Sequence, residues 1–470
     1  MATSTPPKFV SGSIMRHVSV MTFTGSIGLV AIFVVDLADM FFLSLLGEVA
    51  IAAAIGYAGT ILFFATSICI GISIATGALV SRALGAGDEK RAGTIATTSL
   101  LFMLVATIII VVVALPLLPR FLTLLGAKGE AFDLALSYLQ IVVVATPLLG
   151  LGMCSGALLR AVGDAKRAMY VTLSGGVVNA ILDPIFIFGL DLGVDGAAYA
   201  SVASRFTLVV LGYYGVVRVH QLLERPSTGE FFRHLPSLSK IAAPAIATNL
   251  ATPAGNAYVT GAIANFGDGA VAGWAIVGRL IPVAFGVVFA LSGAVGPIFG
   301  QNLGAQRYDR VADTFRASLI FCSAYVIVVW TALFLFQDVI ASAFQVEGEA
   351  AAMVGLFCTV VAGAFLFNGA LFVSNAAFNN LGRPLYSTAF NWGKATIGTI
   401  PFVYFGAQIG GAGGILVGQA MGAAVFGVLA GVMCSRFIYR VNATPPDVEK
   451  PAPVWRSAAS PLSSGKSASV

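Results

Sequence analysis

Residues 93–118 read GTIATTSLLFMLVATIIIVVVALPLL, 26 consecutive positions without a charged side chain. At 1.5 Å per residue an α-helix of that length is about 39 Å long, more than the roughly 30 Å hydrocarbon core of a bilayer. The apolar positions do not alternate with polar ones, so the stretch is not a barrel strand. Only helices and closed barrels satisfy every backbone group within lipid. The run is a membrane-spanning helix.

Working outward, eleven further runs of spanning length fall at about 17–46, 50–81, 131–158, 166–190, 195–219, 239–266, 271–299, 312–337, 350–378, 385–407 and 412–437. The expected fold is an all-α polytopic membrane protein with twelve transmembrane helices. Composition agrees: 10% of the 470 residues are charged, against about 25% in soluble chains, too few to cover a soluble surface. The formal net charge of +5 does not point to nucleic acid, because the basic residues are confined to short loops. The five cysteines fall inside apolar runs with no paired or metal-ligand spacing, and read as small buried hydrophobes.

The loop charges set the topology. With the N-terminus inside, 21 Lys and Arg residues lie on the inner side; only Arg120 and Lys128 lie outside, and Arg205, Arg279 and Lys394 fall within spans. The positive-inside rule therefore places both termini in the cytoplasm. No cleavable leader is apparent in Met1 to Arg16.

The longest polar link, RVHQLLERPSTGEFFRHLPSLSK (218–240), follows the sixth run. An offset of 219 lays LGAGDEKR (84–91) on LGAQRYDR (303–310), and Gly163 on Gly382. An offset of 217 carries Pro184, Phe188 and Gly189 onto Pro401, Phe405 and Gly406. The chain thus divides into a lead-in (1–16), an N-lobe (17–219), a cytoplasmic linker (220–238), a C-lobe (239–440) and a Pro/Ser/Ala-rich tail (441–470) expected to be disordered. Six is even, so the two six-helix bundles are parallel repeats, an architecture of transporters.

Ionisable residues inside a span are costly and therefore functional candidates. The first run carries Asp36 and Asp39; the fifth carries Asn179 and Asp183 in GGVVNAILDPIFIFG. Both runs have the same sense. Asp39 lies eight residues before Gly47 and Asp183 six before Gly189, so both acids sit roughly 10 Å below the outer surface. Asp36 and Asn179 lie one turn deeper at matching heights, and Pro184 frees the carbonyl of Ala180. The C-lobe has Asn256 and Val259 opposite Asp36 and Asp39, and Thr396 and Ile400 opposite Asn179 and Asp183, so the acidic cluster belongs to the N-lobe alone. Neighbouring carboxylates in such a setting suit proton loading and release. Arg205 reads either as a base in the cavity or as the partner of an outer-loop acid such as Asp191 or Asp195, and Lys394 and Arg279 read as interior pairs or snorkelling side chains.

At these residues the chain resembles the multidrug and toxic compound extrusion (MATE) family. The segments that carry the likeness are LADMFFLSLLGEVAIAAA, VSRALGAGDEKRA, LLRAVGDAKRAMYVTLSGGVVNAILDPIFIFG, VDGAAYAS and FGQNLGAQRYDR, in order from about Arg16 to Arg440. The resemblance implies a secondary antiporter in a bacterial cytoplasmic membrane. Such a protein exports lipophilic or cationic small molecules in exchange for protons or sodium ions. It needs no cofactor, resident metal or nucleic-acid partner, contacts membrane lipid, and works as a monomer. By similarity Asp39, Asn179 and Asp183 form the coupling site, with Tyr138 and Ser201 in its polar network; no role for Asp36 follows. NLATPAGNAY and AFNNLGRP lack the acids of the C-lobe sodium site, which places the chain nearer the DinF-like branch. The first run also lacks the proline that the family often has there.

Three other readings compete. The loop SRALGAGDEKRAG lacks the pattern of major facilitator transporters. A lipid-linked oligosaccharide flippase shares the fold and is the alternative function. Gly85-Ala86-Gly87-Asp88 matches the GxGD of intramembrane aspartyl proteases, but Glu89, Lys90 and Arg91 follow it. That motif reads as a turn, and the chain as no enzyme.

Overall fold

The computed structural model describes residues 7–443 apart from 45, 47 and 48, and for 36, 37, 40, 41, 44, 49, 442 and 443 the backbone only. The expected disordered tail, from 444 on, and the side chain of Asp36 therefore lie outside the described residues. Among the described residues every regular element is helical: α1 (Ile14–Ser44), α2 (Val49–Gly85), α3 (Glu89–Leu124), α4 (Gly129–Val144), α5 (Thr146–Ala161), α6 (Ala165–Pro184), α7 (Gly193–Tyr213), α8 (Thr228–Ala264), α9 (Asp268–Gly304), α10 (Tyr308–Leu335), α11 (Gln337–Ala343), α12 (Gly348–Thr359), α13 (Phe365–Asn380), α14 (Pro384–Ala395) and α15 (Ile400–Ala443).

These elements make the twelve spans once three local breaks are understood. The fourth span is α4 plus α5, bent by 49° at Ala145 ahead of Pro147. The tenth is α12 plus α13, joined through the 3₁₀ turn Val361–Ala364. The helical stretch Pro384–Val441 is 58 residues long, about 87 Å if straight, and must fold back. It does so at Gly410 and Gly411, the latter at φ 59°, a left-handed conformation that costs glycine little. Beyond the fold the two arms run antiparallel and touch: a Cβ on Gly406 would strike the Gly414 carbonyl, and one on Gly418 the Phe402 carbonyl. The seventh span begins earlier than the sequence suggested. Ser227 and Glu230 form a reciprocal capping box, so α8 starts at Thr228, inside the expected linker.

The Gly-Asp turns repeat one device. Gly87 and Gly163 take φ 77° and 87° and end α2 and α5. The next residues, Asp88 and Asp164, then cap α3 and α6 by accepting from the amides of Arg91 and Arg167. The GxGD match at Gly85–Asp88 is thus a helix cap.

The two bundles meet through α1 on α9 and through α2 on α8 and α9. Contacts along α1 run from Gly25 beside Ala290 to Val30 beside Gly286. The inter-lobe side-chain hydrogen bonds among the described residues lie at the end of the molecule that holds the N-terminus. There Gln301 Nε2 donates to the Ala161 carbonyl (2.8 Å) and Arg82 donates to the Asn380 carbonyl. A Cβ on Gly85 would strike the backbone of Gln301, and one on Gly304 the backbone of Arg82. Residues 7–13 form a strap across this joint. Phe9 N–H donates to Gln301 Oε1 (2.9 Å), Lys8 Nζ to the Gly163 carbonyl (2.6 Å), and Arg310 to the Phe9 and Gly12 carbonyls (2.9 and 3.1 Å). Beyond the Val30–Gly286 pair the facing surfaces are accessible, with Val34 and Arg279 exposed.

Candidate functional site

The site forms where α1 and α6 pack together. α6 supplies two polar residues one turn apart on its inner face: Asn179 is 4% exposed and Asp183 fully buried. Pro184 ends α6, and a π-helical turn, Ile185–Gly189, replaces regular geometry directly after the acid. Such turns recur at functional sites because they redirect carbonyls and side chains locally.

Asn179 joins the two acids. Its Nδ2 donates to Asp39 Oδ1 and to Asp183 Oδ2, both at 2.9 Å. The carboxyl groups of Asp39 and Asp183 also contact each other. Asp183 Oδ1 is buried and receives no donor from the described residues. Two carboxylates in contact, away from bulk water, cannot both carry charge cheaply. A proton on the pair would remove one charge.

The other sequence candidates fall as follows. Tyr138 on α4 lies beside Ser201 on α7, within electrostatic reach of both acids. The backbone of residue 36 is helical, one turn below Asp39; its side chain is not described. Arg205 does not pair with an outer-loop acid: its guanidinium donates to the Val142 carbonyl at 2.7 Å, while Asp195 accepts from Ser137 at 2.6 Å. Neither Lys394 nor Arg279 belongs to an ion pair among the described residues. Lys394 Nζ donates to Asn368 Oδ1 (2.6 Å), a neutral amide. Among the described residues no three His, Cys, Asp or Glu side chains cluster as metal ligands.

Sequence reasoning missed the strap and the lobe joint. The signal was available at the joint, since the 219-residue offset aligns Gly85 with Gly304. Nothing in the polar lead-in marks Lys8 and Phe9 as inter-lobe contacts.

Two parallel six-helix lobes, joined at one end, with buried acids in one lobe only, define a polytopic membrane transporter. The MatE family model matches residues 26–185 and 244–405. The chain belongs to the MatE family. It is 28% identical over 445 residues to a FAD transporter of Shewanella oneidensis, covering 93% of this chain and 98% of that one. It is 25% identical over 316 residues to the multidrug export protein MepA of Staphylococcus aureus, covering 66% and 69%. Solved structures share the fold. A Vibrio cholerae MATE transporter, VcmN, superposes with TM-score 0.87 at 24% identity over 92% of this chain and 98% of that one. A multidrug resistance MATE family transporter in an outward-facing conformation gives 0.88 at 20% identity over 94% and 100%. The protein is thus a multi-pass membrane transporter and not an enzyme.

Proposed function

We propose that the protein is a proton-driven exporter of small organic molecules in a bacterial cytoplasmic membrane, with both termini cytoplasmic and no cofactor. The observation that carries this reading is the single amide of Asn179 shared by the touching carboxyls of Asp39 and Asp183. With the positive-inside topology, the joined end of the lobes faces the cytoplasm, and the cleft opens outward. In that state the acid pair takes a proton from outside. Neutralising a charge lowers the cost of enclosing the pair when the lobes rock to the other state. Exposed to the more alkaline cytoplasm, the pair releases the proton, and substrate binds to the ionised protein. Exchange follows if substrate and proton favour opposite states. The lack of acids in NLATPAGNAY and AFNNLGRP supports coupling through the N-lobe alone, as in the DinF-like branch. The relatives named for FAD and for drugs support organic solutes as cargo.

The test is purified protein in proteoliposomes, with an imposed proton gradient in sodium-free medium. Transport that responds to the proton gradient, and that Asp39→Asn and Asp183→Asn abolish, is the expected result. Transport that ignores pH and requires sodium overturns the proposal.

A further inference from the structure

Among the described residues the N-lobe interior holds the acid pair together with Arg205, whereas the C-lobe holds basic charge and no acid at depth. In the C-lobe the described acids, Asp268, Asp309, Asp313, Asp338, Glu347 and Glu349, all stand at helix ends, within two turns of a terminus. The charges at depth are basic. Lys394 lies ten residues into α14, roughly 15 Å from its start, and uses one N–H to reach Asn368 on α13. An ammonium group is strongly hydrated and is rarely left inside a membrane with only an amide for company. Lys394 is partly buried, and its Nζ has no hydrogen-bond partner other than Asn368 among the described residues.

Other polar groups share that depth. Gly255 of α8 touches Ala395 of α14, the residue after Lys394. Asn256, next to Gly255, is exposed and lies beside Gln419 of α15, whose Nε2 reaches Asn256 Oδ1 at 3.4 Å. Lys394 and Asn368 thus meet between α14 and α13, while the Asn256–Gln419 pair lies between α8 and α15, with Asn256 next to the residue that touches Ala395. This region is the repeat counterpart of the N-lobe acid site, with Asn256 opposite Asp36. Arg279 stands at the mouth. It lies seven residues, two turns, from Gly286, on the face of α9 that meets Val30 of α1, and it is exposed with no ion-pair partner among the described residues.

We infer that the C-lobe carries a binding site for an anionic group, carboxylate, sulfonate or phosphate, of the transported molecule. Lys394 is the charge at its base, Asn368 is the amide beside it, and Arg279 draws anions into the cleft. The site departs from the cationic substrates expected from the sequence, and it rests on the exporter reading above. A bound anion gives Lys394 the counter-charge its surroundings lack. The proton site in the other lobe remains free for coupling.

The test uses two xanthene dyes with one ring system and opposite charge, carboxyfluorescein and rhodamine 123. Full-length protein in phosphatidylcholine nanodiscs is titrated with each and read by fluorescence anisotropy, without any gradient. Carboxyfluorescein is expected to bind, Lys394→Gln to weaken it about tenfold or more, and Lys394→Arg to retain it. Rhodamine 123 affinity is expected to hold or tighten in Lys394→Gln, and Arg279→Gln to slow carboxyfluorescein association more than its release. An unchanged carboxyfluorescein Kd in Lys394→Gln, or equal loss of both dyes, overturns the site. Loss of carboxyfluorescein binding on adding phosphatidylglycerol assigns the anion to a lipid headgroup and overturns a soluble cargo. Because binding needs no gradient, anion binding without proton-driven transport in proteoliposomes defeats only the exporter reading. Proton-driven transport with no anion preference defeats only the site.

Discussion

Arg82 and Gln301 are equivalent under the 219-residue repeat, and each crosses between the lobes to the other's counterpart: Arg82 donates to the Asn380 carbonyl, Gln301 to the Ala161 carbonyl. Gly85 and Gly304 are related the same way and let the two backbones approach. The joint is therefore a local pseudo-twofold assembled from backbone acceptors. Arg82→Ala and Gln301→Ala should each weaken the joined state by about 1–2 kcal/mol. A cysteine placed at Ser81 should then become more reactive toward a membrane-impermeant thiol reagent applied from that side. Unchanged reactivity in both variants would show that the strap alone holds the joint.

Adding bulk where the backbones touch should act more strongly. Gly304→Val places a branched Cβ against the Arg82 carbonyl, which no rotamer relieves. Overpacking of this kind costs about 1–3 kcal/mol. The same thiol assay should show the joint open in most molecules, with transport reduced.

In the acid pair, Asn179→Ala removes the amide that, among the described residues, alone bonds to both carboxyls. Gradient-driven transport is expected to fall to background, as in Asp39→Asn and Asp183→Asn, while membrane insertion is retained. Asn179→Asp, which introduces a third carboxyl, should be at least as damaging. Near-normal transport by Asn179→Ala would leave the amide a packing role only.

Asp164 offers a pH test outside the spans. Burial pushes its carboxyl up, but hydrogen bonds from Arg167 and His220 outweigh that and hold it below the usual aspartate range. A lowered native pKa stabilises the fold above the ordinary value of about 4. The contribution fades as pH falls toward the native value. Asp164→Ala also loses the α6 cap, so a cost of about 1–2 kcal/mol is expected near pH 7. Thermal unfolding in detergent should show the difference from wild type held down to about pH 4 and shrinking below it, as the pH falls toward the lower native value.

Hydropathy made the twelve spans legible, and equal helix sense with equal depth made Asp39, Asn179 and Asp183 legible as one cluster. Their spacing along lipid-embedded helices left few other places for them to go. What stayed hidden depends on irregular backbone. The turn at Gly411 and the π turn after Pro184 arise from tertiary packing that hydropathy does not report. The outer-loop partner considered for Arg205 gave way to the Val142 carbonyl, at the bend between α4 and α5, which sequence does not report. Lys394 read as either an interior pair or a snorkelling side chain, because sequence cannot show that an amide is its neighbour.

Helix α1 runs from Ile14 to Ser44 without a proline, so a bend is not its natural motion. It is tethered at one end by the strap and carries Asp39 toward the other. Its contact with α9, Val30 on Gly286, lies between them and serves as a fulcrum. Ile14 is 16 residues from Val30 and Asp39 is nine, giving lever arms of about 24 Å and 14 Å. A sideways shift of Asp39 is magnified about 1.8-fold at the strap by those arms. One stiff rod would thus carry a sub-ångström shift at the acid pair to the joint between the lobes as torque.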